Sequence, residues 1–320
     1  MRGLIRRLRR GERGGISVIV ALSLVVLLGV AALVVDVGAL YAERAELQNG
    51  SDAAALAIAQ NCAVGSCGAP GSTAQAFVNS NAKDNAANVD APTFPTSTSV
   101  RVRATTRETG GAGSLALMFA PLLGIDRETV SATSTAAWGS PAGGPAVLPL
   151  AFAPCVFNLS GGRQVIQTHG SGTPSCTSTS PSGQTLPGGF SWLSGSTSTS
   201  CSADLTINTW VPSSPGASVP GACDSVLVPS LVGDTVLLPV YGDRTGTGSG
   251  ASYRLTGWAA FRIYGWRFPS NAVNNNTAAG PNCTGSCNGI IGEFVRFASL
   301  DEEFTTGGPN MGATIVSLTE

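Results

Sequence analysis

Residues 14–60 read GGISVIVALSLVVLLGVAALVVDVGALYAERAELQNGSDAAALAIAQ, and the architecture turns on this stretch. Ile16 to Val35 are 20 consecutive uncharged positions dominated by Val, Leu, Ile and Ala. At about 1.5 Å of rise per residue, a helix of that length matches the roughly 30 Å hydrocarbon core of a bilayer. From Asp36 to Gln60 there is no Pro and only two Gly, and YAERAELQ and AAALAIAQ are runs of strong helix formers. One helix is therefore expected to pass from lipid into water. Along it Leu33, Val37, Leu40, Leu47, Ala54 and Ile58 recur at helical spacing, a stripe that needs a cover. Gly50, with Ser51 or Asp52 as an N-cap, predicts a kink and a second helical segment.

Upstream of the run, residues 1–13 hold six arginines against one acid, Glu12. A basic cluster abutting an apolar run marks the cytoplasmic side, so everything after Val35 is expected to be extracytoplasmic. A cleaved signal peptide would have an apolar region of about 7–15 residues and a small-x-small cleavage site. Here the run is longer, and Asp36 to Ala42 lacks a clean Ala-x-Ala, so a retained single-pass anchor is expected. After residue 13 the chain carries 12 basic and 18 acidic residues, a net charge of −6 that argues against nucleic acid as a partner. All eight cysteines (Cys62, Cys67, Cys155, Cys176, Cys201, Cys223, Cys283, Cys287) come after the anchor, which reads as disulfides in an oxidising compartment. Spacing favours closure of Cys62 with Cys67 and of Cys283 with Cys287, leaving the other four to pair among themselves. A metal reading would need more ligands than the single histidine, His169, provides.

The Gly-rich lead, the apolar run, Val35-Asp36-Val37-Gly38, Tyr41, and Leu47-Gln48-Asn49-x-x-Asp52-Ala53-Ala54-Ala55-Leu56-Ala57 occur in that order. Together they resemble the N-terminal region of TadG-like proteins of the Flp (tight adherence) pilus-assembly system, and GSLALMFAPLLGIDRETVSATSTAAW (113–138) is similar to the segment that comes after that region in such proteins. The resemblance implies a membrane-anchored extracytoplasmic structural component of pilus assembly or adherence. Its partners would be the lipid bilayer and other Tad/Flp proteins, and it would have neither catalysis nor a cofactor. Asp36, Tyr41, Gln48 and Asp52 are then the candidates for contact at the membrane interface or with a partner. For Asp36 two readings stand, a contact with a partner helix or platform, or a plain end to the span in the headgroup region. Pilins carry an acid at the fifth position after the cleavage glycine. Here Ile16 stands at that distance from Gly11 and Val20 from Gly15, which puts pilin-type processing in doubt.

The fold class expected is α+β: a basic tail (1–13), a transmembrane helix extending into a stalk (14–60), a small α+β unit (61–140) and a β-rich disulfide-bonded domain (145–320). In the small unit a helix is expected over 72–85, a turn-rich link over 88–95, a strand over 99–106 exposing Arg101 and Arg103, a helix over 114–123 stopped by Gly124, and a strand over 128–138. GSPAGGPAVLP (139–149) reads as the boundary. Beyond it strands are expected at 150–158, 164–168, 205–211, 225–227, 235–241, 254–268, 290–299 and 314–318, with Gly257 and Gly265 as bulges in the strongest of them.

The chemistry-bearing motifs are weak. His169 sits in Thr-His-Gly-Ser-Gly without a nucleophile elbow, Lys83 follows Ser80 at Ser-x-x-Lys spacing but the Ser-Asp-Asn and Lys-Thr-Gly elements that belong with it are missing, and Cys283 and Cys287 are too far apart for a redox Cys-x-x-Cys. Asp301-Glu302-Glu303 reads as a solvated turn, or at best part of a weak calcium site, and no phosphate-cradling loop is present. The protein is not expected to be an enzyme. The aromatics Trp192, Trp210, Trp258, Tyr264 and Trp266 allow one alternative, a cell-wall or glycan-binding ectodomain, against which core packing is the plainer expectation.

Overall fold

The computed structural model describes residues 2–168, 175–176, 179–194, 201–214, 219–227, 229–269, 273–274 and 280–319, and the backbone alone for 2–14, 249 and 273. His169 lies outside them. The architecture is α+β. A 62-residue helix, α1 (Arg2–Ala63), about 93 Å long by its rise, carries the apolar run and the stalk without a break. The expected second segment at Ser51 or Asp52 does not start there. Gly50 serves packing instead, since a Cβ on it would sit 2.9 Å from the Cα of Val78 in the next helix.

That helix is α2 (Pro70–Asn81), which opens on Pro70 rather than on Ser72 or Thr73. Proline at the first helical position costs no hydrogen bond and presets φ. Next come β1 (Ala87–Val89), β2 (Thr93–Thr96) and β3 (Ser99–Thr106), so the expected turn-rich link is two short strands. β4 (Leu115–Ala116), β5 (Arg127–Glu128) and β6 (Ser131–Gly139) come after them. In β3, Val100, Val102 and Ala104 point inward while Arg101 and Arg103 point out. They pair in register with Ala136, Ser134 and Ala132 of β6. This face of small and β-branched side chains closes over Leu47, Ala54, Ala55, Ile58 and Ala59 of α1, with Ala74 and Val78 of α2 beside them.

The remaining strands are β7 (Pro141–Ala146), β8 (Leu150–Phe152), β9 (Gln164–Gln167), β10 (Phe190–Trp192), β11 (Ala203–Thr206), β12 (Trp210–Pro212), β13 (Thr235–Thr245), β14 (Ser252–Arg267), β15 (Val273–Asn274), β16 (Gly289–Val295), β17 (Phe297–Ser299), β18 (Thr305–Thr306) and β19 (Ala313–Thr319). An eight-stranded sheet runs β10-β8-β13-β14-β16-β9, with β12 and β15 also on β14. β11, β7 and β18 form a smaller sheet. The Gly/Pro-rich stretch at 139–149 is thus largely a strand, β7, and a Cβ on its Gly144 would overlap the ring of Phe304. No strand forms at 225–227, and 205–211 and 290–299 are each split in two.

The chain's last strand turns back. β19 pairs antiparallel with β6, and β17 lies parallel to β19, completing the order β1-β3-β6-β19-β17 over the stalk. Residues beyond 145 therefore supply two strands to the sheet that residues 87–139 begin.

Both faces of β14 are buried. Tyr253, Leu255, Trp258 and Ala260 enter one core, and Ala259, Phe261, Ile263 and Trp266 enter the other. Strict alternation would put Phe261 and Trp266 on opposite faces. A register shift between Ile263 and Gly265 brings both to the same face, and another beside Gly257 realigns Leu255 with Trp258. Disulfides join Cys62 to Cys67, Cys155 to Cys176, Cys201 to Cys223 and Cys283 to Cys287.

Candidate interaction site on the apolar helix and its adjoining loop

The apolar part of α1 is left largely bare, approached only near its end by the segment 117–125. Every large aliphatic side chain from Ile16 to Val35 that lies along it is more than half exposed, with Leu33 at 55% and Leu27 at 68%. Among the described residues this is the one helix long and apolar enough to cross a membrane. In water such a surface would be costly, at roughly 25 cal/mol per Å² of apolar area. Inside lipid it costs nothing of that kind.

Asp36, the first charge after this run, is 5% exposed, and its own chain buries it. One carboxylate oxygen, Oδ1, accepts the backbone N–H of Met118 (2.8 Å); Oδ2 accepts those of Phe119 (2.9 Å) and Ala120 (2.5 Å). These three amides precede or open a 3-10 turn, Ala120–Leu123, which ends at Gly124 with φ 80°. In place of the helix expected over 114–123, the structure has a two-residue ladder, β4 with β5, and this single turn. The physical reason is Pro121, which inside a helix over 114–123 would offer no N–H to the carbonyl of Leu117 and would crowd it, so the backbone makes one turn whose leading amides a carboxylate more than eighty positions upstream accepts. Nothing local in the sequence signals that bond. The apolar run Leu115 to Ile125 is the visible sign, and its spacing mimics a helical face.

At the base of this excursion Arg127 binds Glu108 (2.6 Å) and donates to the Ser114 hydroxyl (2.9 Å). That contact, with a bond from the Ala116 amide, holds the Glu108 carboxyl below its ordinary range. Between the loop and the helix lies an apolar crevice of about 470 Å³, bounded by Gly29, Leu33 and Val37 on one side and Phe119, Leu122 and Ile125 on the other.

The other candidate positions fall elsewhere. Tyr41 is 71% exposed on the flank of α1. Gln48 and Asp52 are bound to each other, Nε2 donating to Oδ1 at 2.7 Å one turn apart, beside the stalk core. Just outside that core, Glu46 accepts the backbone N–H of Lys83 (2.8 Å), which ties α1 to the chain leaving α2. Asp36 is thus the member of the set that joins two distant segments, whereas Tyr41 alone offers an open surface.

Three of the five aromatics are packed inside. Trp192, Trp258 and Trp266 are at most 1% exposed. Tyr264 lies under the Arg163 guanidinium (3.6 Å) and donates to Glu293 (2.6 Å). Trp210 stands exposed. Among the described residues no group of three or more His, Cys, Asp or Glu is arranged to hold a metal ion.

Comparison with curated proteins and with solved structures finds no match. The N-terminal region does match a family model: residues 14–61, the apolar run together with the stalk, match the putative Flp pilus-assembly TadE/G-like family.

Proposed function

We propose that this protein is a structural component of Flp pilus assembly, anchored in the membrane by residues 16–35, with residues 1–13 in the cytoplasm and the rest extracytoplasmic. The observation that carries the reading is the coincidence of two facts: the family match covers residues 14–61, and the apolar half of that same segment is left largely bare by the rest of the protein. The arginine cluster before the run supports the orientation. Four disulfides, all beyond the run, support an oxidising compartment for the remainder. We assign the tail (1–13), anchor and stalk (14–60), small unit (61–140) and β-rich domain (145–320) these respective places. The role is to hold and to dock, not to catalyse, and its partners are other Tad/Flp proteins.

Cross-linking in intact cells tests this. Capture of other pilus components, together with loss or shortening of surface pili on deletion, is the expected result. Pili of normal number and length after deletion, with no such cross-links, would overturn it.

A further inference from the structure

We propose that the loop Leu117–Ile125 is a second membrane contact, dipping into the outer leaflet beside the transmembrane helix and latched there by Asp36. The proposal rests on the membrane-anchor reading above. Four observations carry it.

The loop is apolar and bare. Met118 is 74% exposed, Leu122 86% and Leu123 73%, and no charge occurs between Leu115 and Ile125. A monomeric soluble protein rarely gathers so many exposed large apolar side chains at one tip.

The loop lies at membrane depth. It faces Gly29 and Leu33 across the crevice, within the apolar run. Gly29 is seven residues before Asp36, so the loop reaches about 10 Å toward the bilayer centre from the first charged residue of the helix. The apolar surface of the loop is therefore continuous with that of the span.

Its backbone suits lipid. In hydrocarbon each amide needs a partner within the protein. Leu117 donates to Asp126, Leu122 to Phe119, Gly124 to Pro121 and Ile125 to Ala120. Met118, Phe119 and Ala120 donate to Asp36, and Pro121 has no N–H. Of the nine residues only Leu123, inside the 3-10 turn, is not covered by these bonds. The loop thus leaves few amides in need of solvent.

Finally, charge returns at the depth where headgroups begin. Asp126, Arg127 and Glu128 come directly after the tip, with Glu108 paired to Arg127. Asp36 thus has a purpose other than ending the span: it converts three amides that lipid would penalise into the fastening between helix and loop.

The test uses the full-length protein in vesicles of phosphatidylcholine and phosphatidylglycerol containing a phospholipid with a photoactivatable diazirine on its acyl chain. After irradiation, lipid adducts are mapped by mass spectrometry. Adducts are expected on residues 16–35 and on 117–125, with none above background on Phe94 or Trp210, which are apolar and 46% and 45% exposed but lie on β2 and β12, outside the crevice. Adducts on 16–35 alone overturn the loop proposal and leave the anchor standing. Adducts on neither overturn the anchor reading itself. In a parallel sample that carries photo-leucine in the protein and no lipid probe, tip-to-tip or tip-to-protein cross-links, with no lipid adducts on 117–125 in the first sample, assign the loop to a protein partner and overturn the proposal. Leu122→Asp with Leu123→Asp changes exposed side chains only, and is expected to abolish the loop adducts while preserving those on the helix. Unchanged loop adducts in that variant would also count against it.

Discussion

The stalk unit and the β-rich domain solve the same packing problem with opposite materials. Over the stalk, Ala54, Ala55 and Ala59 of α1 meet Ala74 of α2, and Ala104, Ala132 and Ala136 of the sheet, so that backbones approach closely around few large side chains. In the domain, Phe152, Phe190, Trp192, Phe261, Trp266 and Phe294 fill one face of the large sheet, with Phe152 and Phe261 centroids 5.1 Å apart. Small residues allow a thin sheet to lie along a helix, and they contribute proximity. Large rings contribute buried area, and the domain adds three disulfides to it. The two cores should therefore fail to opposite kinds of substitution: the domain to deletion, the stalk to insertion.

The largest effect tests the deletion half. Phe261 is fully buried and touches Phe152 and Phe294 with ring centroids 5.1 Å away in each case. Phe261→Ala is expected to cost about 3–5 kcal/mol through lost burial and a residual cavity. Denaturant unfolding of the full-length protein in detergent, monitored by fluorescence of the buried tryptophans, measures it. A loss under about 1 kcal/mol, the level of a surface change, would break the contrast.

Disulfides come next and grade the two units against each other. Cys201 and Cys223 are separated by 22 positions, Cys62 and Cys67 by five. On the loop-entropy account the longer closure stabilises by about 3 kcal/mol and the shorter by about 2. Replacing each pair by serines in turn should show that order in the same unfolding experiment. The reverse order would show that closing the end of α1 matters more to the stalk than chain entropy allows.

The insertion half is decided by a competition at Gly50. Replacing a mid-helix glycine by alanine gains about 1 kcal/mol in helix propensity. The new Cβ, however, would lie 2.9 Å from the backbone of Val78, and backbone cannot give way as a flexible side chain can. Overpacking of this sort costs about 1–3 kcal/mol. Gly50→Ala is expected to destabilise on balance and to speed amide exchange in α2, read by hydrogen exchange; a stabilised protein would show that α2 moves away freely.

The same contrast explains which features are legible in the sequence. α1 is plain because its two environments each leave a pattern, an uncharged run for one and a stripe at helical spacing for the other. The alternation of β3 is equally plain, and the glycines in β14 flag the shifts that bring Phe261 and Trp266 to one face. Three features are hidden, for related reasons. Gly50 reads as a break because propensity is local, whereas its use, the approach of α2, is not. β7 reads as a linker because Gly and Pro usually mark one, yet here glycine makes room for Phe304. The segment 114–123 reads as a helix, and nothing near it in the chain shows that it is a single turn whose leading amides bind Asp36 far upstream. In the candidate site, then, sequence exposes the acid and the apolar loop separately, and only the fold joins them.

The smallest effect concerns charge at the seam between stalk and sheet. Glu43, a half-buried residue two turns beyond Asp36, has its pKa raised above the ordinary 4.5, first by burial and then by the nearby carboxylates of Glu46, Asp84 and Glu108, against a lowering bond with Thr106. A carboxyl whose folded pKa exceeds its unfolded value favours the folded state most when protonated. Its contribution is therefore complete below pH 4.5 and is lost as pH rises through the raised folded value. Glu43→Gln removes that slope. Between pH 4.5 and neutrality the variant's stability should fall less steeply than the parent's, with the gap widening upward until Glu43 is fully ionised. Solvent at this partly exposed position keeps the difference small. Parallel profiles across that range would mean the seam relaxes around the charge, and a stalk core of alanine and glycine would then be less rigid than its close packing implies.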